Sequence, residues 1–247
     1  MDTEAMTEWE FTRGAAPLRP PIVFDQQWCD VSFLHWPVEP AAIAHLFPPG
    51  CRPDVVEGRS YVGLVPFRLR HAGFGSAGRI PYFGSFAETN VRLYSVDEAG
   101  RHGVVFCSLD TERLAIVPIA RLLFGVPYTW SRMRVREQDG GIRHYQAWRR
   151  WPQRGLASTV QVRIGDPVQP TPLEQWLTAR WGLHAWIRGR TRWVPNAHDA
   201  WPLHSAEVLR LDDDLLAASG VVPTGDRLRA LWSPGVRAQF GRPVTLD

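Results

Sequence analysis

Apolar and polar side chains alternate along most of this chain, and that pattern predicts many strands and few helices. The predicted strands cover residues 28–36, 60–69, 86–96, 103–109, 128–136, 142–150, 157–164, 183–187 and 203–211, with a short strand near Trp193. Residues 54–56 are expected to pair with 60–69 in a hairpin, and the C-terminal tail is expected to add one or two edge strands.

Helical patterns are fewer and shorter. We predict helices at 41–47, 111–124 and 212–218, and a further helix that opens with a capping box, Thr171 followed by Glu174. Pro118 would bend the second of these helices or restrict it to its later turns. The balance predicts one α+β domain, mostly β, built on a large curved antiparallel sheet or barrel over residues 27–247. Residues 1–26 are polar and contain proline, and we expect them to form an extended N-terminal segment.

The segment 86–96 carries a polar stripe. Glu88, Asn90, Arg92 and Tyr94 share one face of the predicted strand because side chains alternate along a strand. Alternation alone favours a solvated face with a Glu–Arg ladder. The following strand, with Val104-Val105-Phe106, is apolar on both faces, and a polar stripe beside such a strand favours a cavity instead. The sequence leaves both interpretations open.

Lysine is absent from this chain: all 28 basic residues counted as Lys+Arg are arginine. Imine formation needs a nucleophilic amine, normally a lysine with a lowered pKa, and arginine stays protonated. Lysine-based Schiff-base chemistry is therefore excluded. The net charge of +3 is a weak indication of anionic partners and falls short of a nucleic-acid-binding pattern.

Other composition features argue against several kinds of site. The three cysteines form no CxxC pair, so a disulfide framework or a zinc knuckle is not expected. His198 and His204 are a weak metal-site candidate, and we predict no metal and no cofactor. The first residues are acidic and lack an apolar signal segment, and the apolar stretch 114–128 is broken by proline and arginine. We therefore expect a cytoplasmic protein that binds neither membrane nor nucleic acid, and homo-oligomer formation stays open.

Several motifs in a constant order resemble the YqjF-like family of unknown function, which is grouped with acetoacetate decarboxylase. The matching motifs are FLHWPV at 33–38, GLVPF at 63–67, FAETNVRLY at 86–94, GVVF at 103–106, LFGVPY at 123–128, LTARW at 177–181 and AWPL at 200–203. The resemblance covers about residues 27–240. It implies a cone-shaped, partly closed β-barrel with a few flanking helices and a small-molecule cavity at its centre.

The resemblance also implies which residues face that cavity. Glu88 is the counterpart of a glutamate that assists the decarboxylases. Pro127 is followed by Tyr128 and Thr129 where those enzymes carry the Schiff-base lysine, so the cavity is retained and the nucleophile lost. A departure from the family pattern is the segment 179–181, where we expect an acidic residue and a tyrosine and find Ala-Arg-Trp.

Three hypotheses follow from these residues. In the first, the protein binds a carboxylate or carbonyl compound through Arg92, with Glu88 and Asn90 as hydrogen-bonding groups and Tyr128 as a donor at the rim. The remaining residues predicted to bind the ligand are Tyr94, His35 and Thr129. A histidine such as His35 is more often a hydrogen-bonded core residue than a catalytic one.

The second hypothesis is a lyase, isomerase or hydratase that works without an imine. Glu88 would be its general acid or base, with a pKa set by burial against the pull of Arg92, and Tyr128 would polarise the substrate. The third hypothesis is an interaction module built on the arginines and the 12 tryptophans. Core and rim packing is the commoner role for such aromatic residues.

Overall fold

Strands dominate the structure, as the alternation predicts. The computed structural model describes residues 14–75, 78–81 and 84–246, so the first half of the predicted N-terminal segment lies outside the described residues. The strands are β1 (Phe24–Val38), β2 (Cys51–Pro53), β3 (Ser60–Phe74), β4 (Gly78–Arg79), β5 (Phe86–Asp97), β6 (His102–Thr111), β7 (Tyr128–Gln138), β8 (Ile142–Trp151), β9 (Ala157–Pro167), β10 (Gly182–Ile187), β11 (Arg190–His198), β12 (His204–Asp213), β13 (Ala230–Phe240) and β14 (Val244–Thr245).

The helices are short. They are α1 (Pro40–Ile43), α2 (Ile116–Phe124), α3 (Pro172–Thr178) and α4 (Leu215–Ala218), with a 3-10 helix at Ala44–Leu46. None of the helices within the described ranges is long and apolar enough to cross a membrane. The capping box at α3 is confirmed, because Thr171 accepts from the Glu174 amide and Glu174 accepts from the Thr171 amide. α2 begins only at Ile116, so Pro118 falls in its first turn, where proline is tolerated.

Nine strands form a closed ring in one large mixed sheet. The ring runs through β6, β7, β8, β9, β12, β13, β1, β3 and β5 and returns to β6. Two pairs, β6 with β7 and β6 with β10, are parallel, whereas the sequence predicts an antiparallel sheet. The reason for the first pair is α2, which carries the chain back across the sheet between β6 and β7, as a parallel crossover requires.

The interior of this ring is filled with apolar side chains. Its core takes residues from opposite walls, among them Leu34, Leu64, Leu93, Val160 and Val162, each less than 2% exposed. Apolar burial of this kind is typical of a protein core.

A second closed path surrounds a different space. It runs through β1, β3, β5, β6, β10, β11 and β13 and back to β1, because β10 pairs with β6 and β11 pairs with β13. The strands β1, β3, β5, β6 and β13 belong to both paths. One face of these strands packs on the filled core, and the other faces a cavity. Its lining comes from the strands of this second path, from α2 and α3, from the start of β7 and from connecting loops.

Bulges keep the correct side chains turned toward the cavity. In β1 the cavity-lining residues are 24, 26 and 28, and after Asp30, which has a φ of 51°, they are 31 and 33. In β6 the register against β5 shifts beside Cys107, so the lining changes from Phe106 to Leu109. An extra residue reverses the alternation that follows it. A strict period of two along these strands therefore places only part of the lining correctly.

One local prediction is wrong, and the prediction of edge strands in the tail is confirmed only for β14. Residues 54–56 form no strand beside β3: a tight turn closes with a single bridge between Val56 and Arg59, and β2 pairs with β5 instead. The tail is not only an edge, because β13 lies between β12 and β1. Pro234 falls where the register pairs of β13 with β1 skip one position, between Gly235 with Cys29 and Ser233 with Val31.

Gly125 gives the first testable prediction. It ends α2 with a φ of 62°, and a Cβ there would lie 2.3 Å from the Trp186 carbonyl oxygen. Gly189 has a similar φ of 79° with nothing within 4 Å of such a Cβ. We expect Gly189→Ala to lose about 1 kcal/mol of stability through backbone strain alone, and Gly125→Ala to lose about 3 kcal/mol because a backbone clash is added.

Urea denaturation of the two variants and the wild type measures this difference. Equal losses for Gly125→Ala and Gly189→Ala would show that the contact between the α2 end and β10 is not tight.

Candidate functional site

The cavity has a volume of about 510 Å³, and aromatic and aliphatic side chains make up most of its wall. Phe24, at the start of β1, packs against Phe74, Phe124 and Phe240 with ring centroids 5.2 to 6.2 Å apart. Phe74 is 37% exposed and also lines the cavity, so this aromatic group extends from the protein surface to the cavity wall.

Strand β5 contributes three polar groups to the cavity wall. Glu88, Asn90 and Arg92 all line the cavity, and Tyr128 at the start of β7 lines it as well. Glu88 is 3% exposed and Asn90 is 6% exposed. These burials exclude the solvated strand face, and the structure brings together four of the residues that the sequence singled out.

Glu88 and Tyr128 form a hydrogen-bonded pair. The Tyr128 hydroxyl donates to Glu88 Oε2 over 2.7 Å. The pair forms because β6 and β7 are parallel and place Tyr128 opposite Leu109, which is itself paired with Asn90 of β5. The turn after α2, with Gly125 and Pro127, sets where β7 begins.

Burial raises the pKa of Glu88 to about 7. Hydrogen bonds from Tyr128 and Asn90 oppose this rise, and the negative charge of Asp110 adds to it. Arg92 is not among the groups that shift the pKa of Glu88. The expectation that the charge of Arg92 lowers this pKa against the effect of burial is therefore wrong. Desolvation and the neighbouring Glu88 charge raise the pKa of Tyr128 well above its ordinary value, so the phenol keeps its proton.

Arg92 is held from behind by uncharged groups. Its Nε donates to the Tyr94 hydroxyl over 3.3 Å, and its Nη2 donates to the Leu177 carbonyl over 3.1 Å. The guanidinium also lies 5.7 Å from the centroid of the Phe33 ring. Across residues 14–75, 78–81 and 84–246, Arg92 forms no ion pair with a carboxylate. These two hydrogen bonds use two of the five N–H groups of Arg92.

Tyr94 and His35 support Arg92 from outside the cavity lining. The Tyr94 hydroxyl lies 2.6 Å from His35 Nε2, and both side chains are buried. Burial and the charges of Arg92 and Arg180 lower the pKa of His35 well below its ordinary value. In the neutral tautomer with an unprotonated Nε2, His35 accepts a hydrogen bond from the Tyr94 hydroxyl, whose oxygen accepts one from Arg92.

Thr129 lies away from the cavity. Its hydroxyl donates to the Leu109 carbonyl over 3.4 Å, and the side chain is buried on the opposite face of β7 from Tyr128. The structure therefore does not place Thr129, Tyr94 or His35 on the cavity wall, although the latter two position Arg92.

Five polar residues of the cavity wall were not predicted as ligand contacts: Gln26, Thr178, Arg180, Asn196 and His198, the last of which was considered only as a metal ligand. Arg180 is 4% exposed, lines the cavity and is paired with Asp54, which also bonds to His102 over 2.8 Å. Asn196 and His198 line it from β11. The alternation of Val194, Asn196 and His198 was a usable signal for the β11 pair. The departure from the family pattern at 179–181 thus falls on the cavity itself.

His198 is an uncharged member of the wall. Burial lowers its pKa to about 4, and the positive charge of Arg92 acts in the same direction. Its Nδ1 lies 2.7 Å from the Asp199 carbonyl oxygen, so Nδ1 carries the proton. The ring packs between Trp181 and Trp201 at centroid distances of 4.7 and 5.0 Å.

A buried relay away from the cavity resembles a nucleophile with its base. Ser95 Oγ lies 2.8 Å from His184 Nδ1, and His184 Nε2 lies 3.1 Å from Asp97 Oδ2. All three side chains are buried and none lines the cavity, so the relay is structural. Among the described residues, no group of three or more His, Cys, Asp or Glu side chains is arranged to hold a metal ion.

A family profile described as an uncharacterized conserved protein matches residues 25–237. The chain belongs to the DUF2071 family. The uncharacterized protein YqjF of Bacillus subtilis (strain 168) is 29% identical over 209 residues, which cover 83% of this chain and 86% of YqjF. The matched region contains nearly all of the cavity lining.

Solved structures with the same fold are acetoacetate-decarboxylase-like enzymes. Acetoacetate decarboxylase from Legionella pneumophila has a TM-score of 0.63 at 10% identity, over 99% of this chain and 93% of that chain. The enduracididine biosynthesis enzyme MppR complexed with pyruvate has a TM-score of 0.59 at 16% identity, over 94% and 93%. Identities this low establish the fold alone.

The raised pKa of Glu88 yields a prediction about stability. The folded state binds the Glu88 proton more tightly than the unfolded chain does, because the ordinary pKa of this carboxyl group is 4.5. The stability that protonated Glu88 contributes to the fold is therefore complete below pH 4.5, and it is lost as the pH rises through about 7. We expect the wild type to lose about 3 kcal/mol relative to Glu88→Gln between acidic and mildly basic pH.

Denaturation of the wild type, Glu88→Gln and the exposed control Glu98→Gln at both pH values measures the effect. A constant difference between wild type and Glu88→Gln across the range would contradict a protonated, buried Glu88.

Proposed function

We propose that this protein binds a small organic acid or carbonyl compound in the cavity, with the ligand's carboxylate at Arg92. The observation that carries the proposal is the arginine itself: it lines an apolar cavity and has no carboxylate partner within the described residues. A charge beside apolar walls is costly unless it is paired. A carboxylate ligand supplies the pairing, and arginine bonds to carboxylates through parallel N–H groups.

The positions of the other cations support the same conclusion. Arg180 already has Asp54 as its counterion, whereas the nearby His35 and His198 both have pKa values lowered in part by Arg92. The region around Arg92 therefore has a positive potential that selects anions. MppR, which shares the fold, has been solved with pyruvate, a keto acid. That likeness supports a carboxylate ligand for this chain as well.

A second candidate function is proton transfer on the bound compound. Glu88 is favoured for that role by its pKa of about 7 and its hydrogen bond to Tyr128. A general base works best when its pKa lies near the operating pH. The carboxylate would take a proton from the carbon next to a substrate carbonyl, and the Tyr128 hydroxyl would donate to the enolate oxygen. Because the chain has no lysine, this chemistry involves no imine.

Binding is tested with a panel of keto acids, hydroxy acids and aromatic carboxylates. We expect stabilising hits in a thermal-shift assay and a loss of affinity of about 30-fold in Arg92→Met, because a charged hydrogen-bonding partner is removed. Arg132→Met, at an exposed position of β7, is the matched control and should bind like the wild type. Hits that survive Arg92→Met unchanged would overturn the assignment of the anion site.

Proton transfer is tested by nuclear magnetic resonance in deuterated water. We expect the hydrogens beside a carbonyl that lies several bonds from the carboxylate of a bound keto acid to exchange, with a rate that increases as the pH rises through about 7. Glu88→Gln should slow this exchange about 100-fold or more. Exchange at the wild-type rate in Glu88→Gln would rule out Glu88 as the base while leaving the binding proposal intact.

A further inference from the structure

The two polar ends of the cavity are far apart along β5. Glu88 and Arg92 are four residues apart on one face, so their Cα atoms are separated by about 13 Å. Glu88 is directed toward Tyr128 on β7, whereas Arg92 is tied to Tyr94 and Leu177. The carboxyl–phenol pair and the guanidinium are thus held by different neighbours.

Apolar side chains fill the wall between these two ends. Between the ends, Leu109 of β6 and Val65 of β3 are both paired in register with Asn90, and both line the cavity. Phe106 is paired with Arg92 and Phe67 with Glu88, so these two rings add apolar surface at the ends, and Phe33 lies beside the guanidinium. Asn90 is the polar exception on β5 between the two ends. A ligand that spans the ends therefore has an apolar middle.

The cavity is too large for a short keto acid. Its volume of about 510 Å³ equals the bulk volume of roughly 17 water molecules. A keto acid of a few heavy atoms would fill a small part of it and would leave water against phenylalanine rings. Cavities of this size normally enclose ligands of drug-like dimensions.

We propose that the natural ligand is an elongated apolar carboxylic acid, with its carboxylate at Arg92 and a second oxygen, hydroxyl or carbonyl, at the Glu88–Tyr128 pair. The proposal rests on the proposed function and names the ligand class of that site. The apolar body, aromatic or alicyclic, lies along Phe106 and Leu109. The second oxygen of this ligand lies several bonds from its carboxylate. In a short keto acid such as pyruvate the carbonyl is adjacent to the carboxylate, so it cannot occupy that position.

Calorimetric titration with rigid probes tests the proposed length of the ligand. The probes are para-hydroxybenzoate, a hydroxybiphenyl carboxylate with its two polar groups at opposite ends, the same biphenyl carboxylate without the hydroxyl, and pyruvate. We expect the hydroxybiphenyl acid to bind about 100-fold more tightly than para-hydroxybenzoate, because a second ring is buried.

Variants assign the two ends. Arg92→Met should weaken both biphenyl acids about 30-fold. Tyr128→Phe and Glu88→Gln should weaken only the hydroxyl-bearing acid, by about fivefold, and leave the other unchanged. The acid without a hydroxyl thus serves as a folding and packing control for each variant.

The outcomes separate this inference from the proposed function. If pyruvate or para-hydroxybenzoate binds as tightly as the biphenyl acids and depends on Arg92, the elongated class is overturned and the organic-acid site stands. If the Tyr128 and Glu88 variants affect both biphenyl acids equally, the second oxygen is not at that pair. If no acid binds in an Arg92-dependent way, both proposals fail.

Discussion

Strand β5 is buried on both faces, and that constraint determines the rest of the site. Its odd-numbered side chains, such as Val91 and Leu93, belong to the filled core of the nine-strand ring, while Glu88, Asn90 and Arg92 line the cavity. Polar groups in such a position must find partners inside the protein. Tyr128 donates a hydrogen bond to Glu88. Tyr94, which is itself hydrogen-bonded to His35, accepts one from Arg92. The cation keeps donors for a ligand, and the carboxyl group keeps a proton near neutral pH.

The sequence predicts local structure well wherever one strand carries its own signal. Alternation in β5 and the capping box at α3 are both confirmed, and so is the largely β fold. What it could not predict is pairing between distant segments. Nothing local indicates that β10 lies parallel to β6 or that β13 sits inside the sheet beside β1. Bulges such as that at Asp30 reverse the alternation, so the cavity lining of β1 is visible only in part.

The same reasoning explains which site residues were found. Glu88, Asn90 and Arg92 stand on one strand and share a face by periodicity, whereas Arg180 reaches the cavity from the end of α3 through long-range packing on Asp54. His35 and Tyr94 are separated by 59 residues, and their contact depends on Gly63, where a Cβ would lie 3.1 Å from the His35 ring. An acetoacetate-decarboxylase-like fold without lysine thus presents a carboxyl–phenol pair and a separate cation to its cavity.

A crystal soaked with a bromobenzoate tests the central claim most directly, because anomalous scattering from bromine marks where and in which direction the acid binds. We predict a single strong site inside the cavity, with the carboxylate within hydrogen-bonding distance of Arg92 and the bromine directed toward the Glu88 end. Bromine found instead among exposed arginines, such as those in the groove lined by Arg70 and Arg134, would contradict the account of Arg92 as the anion site.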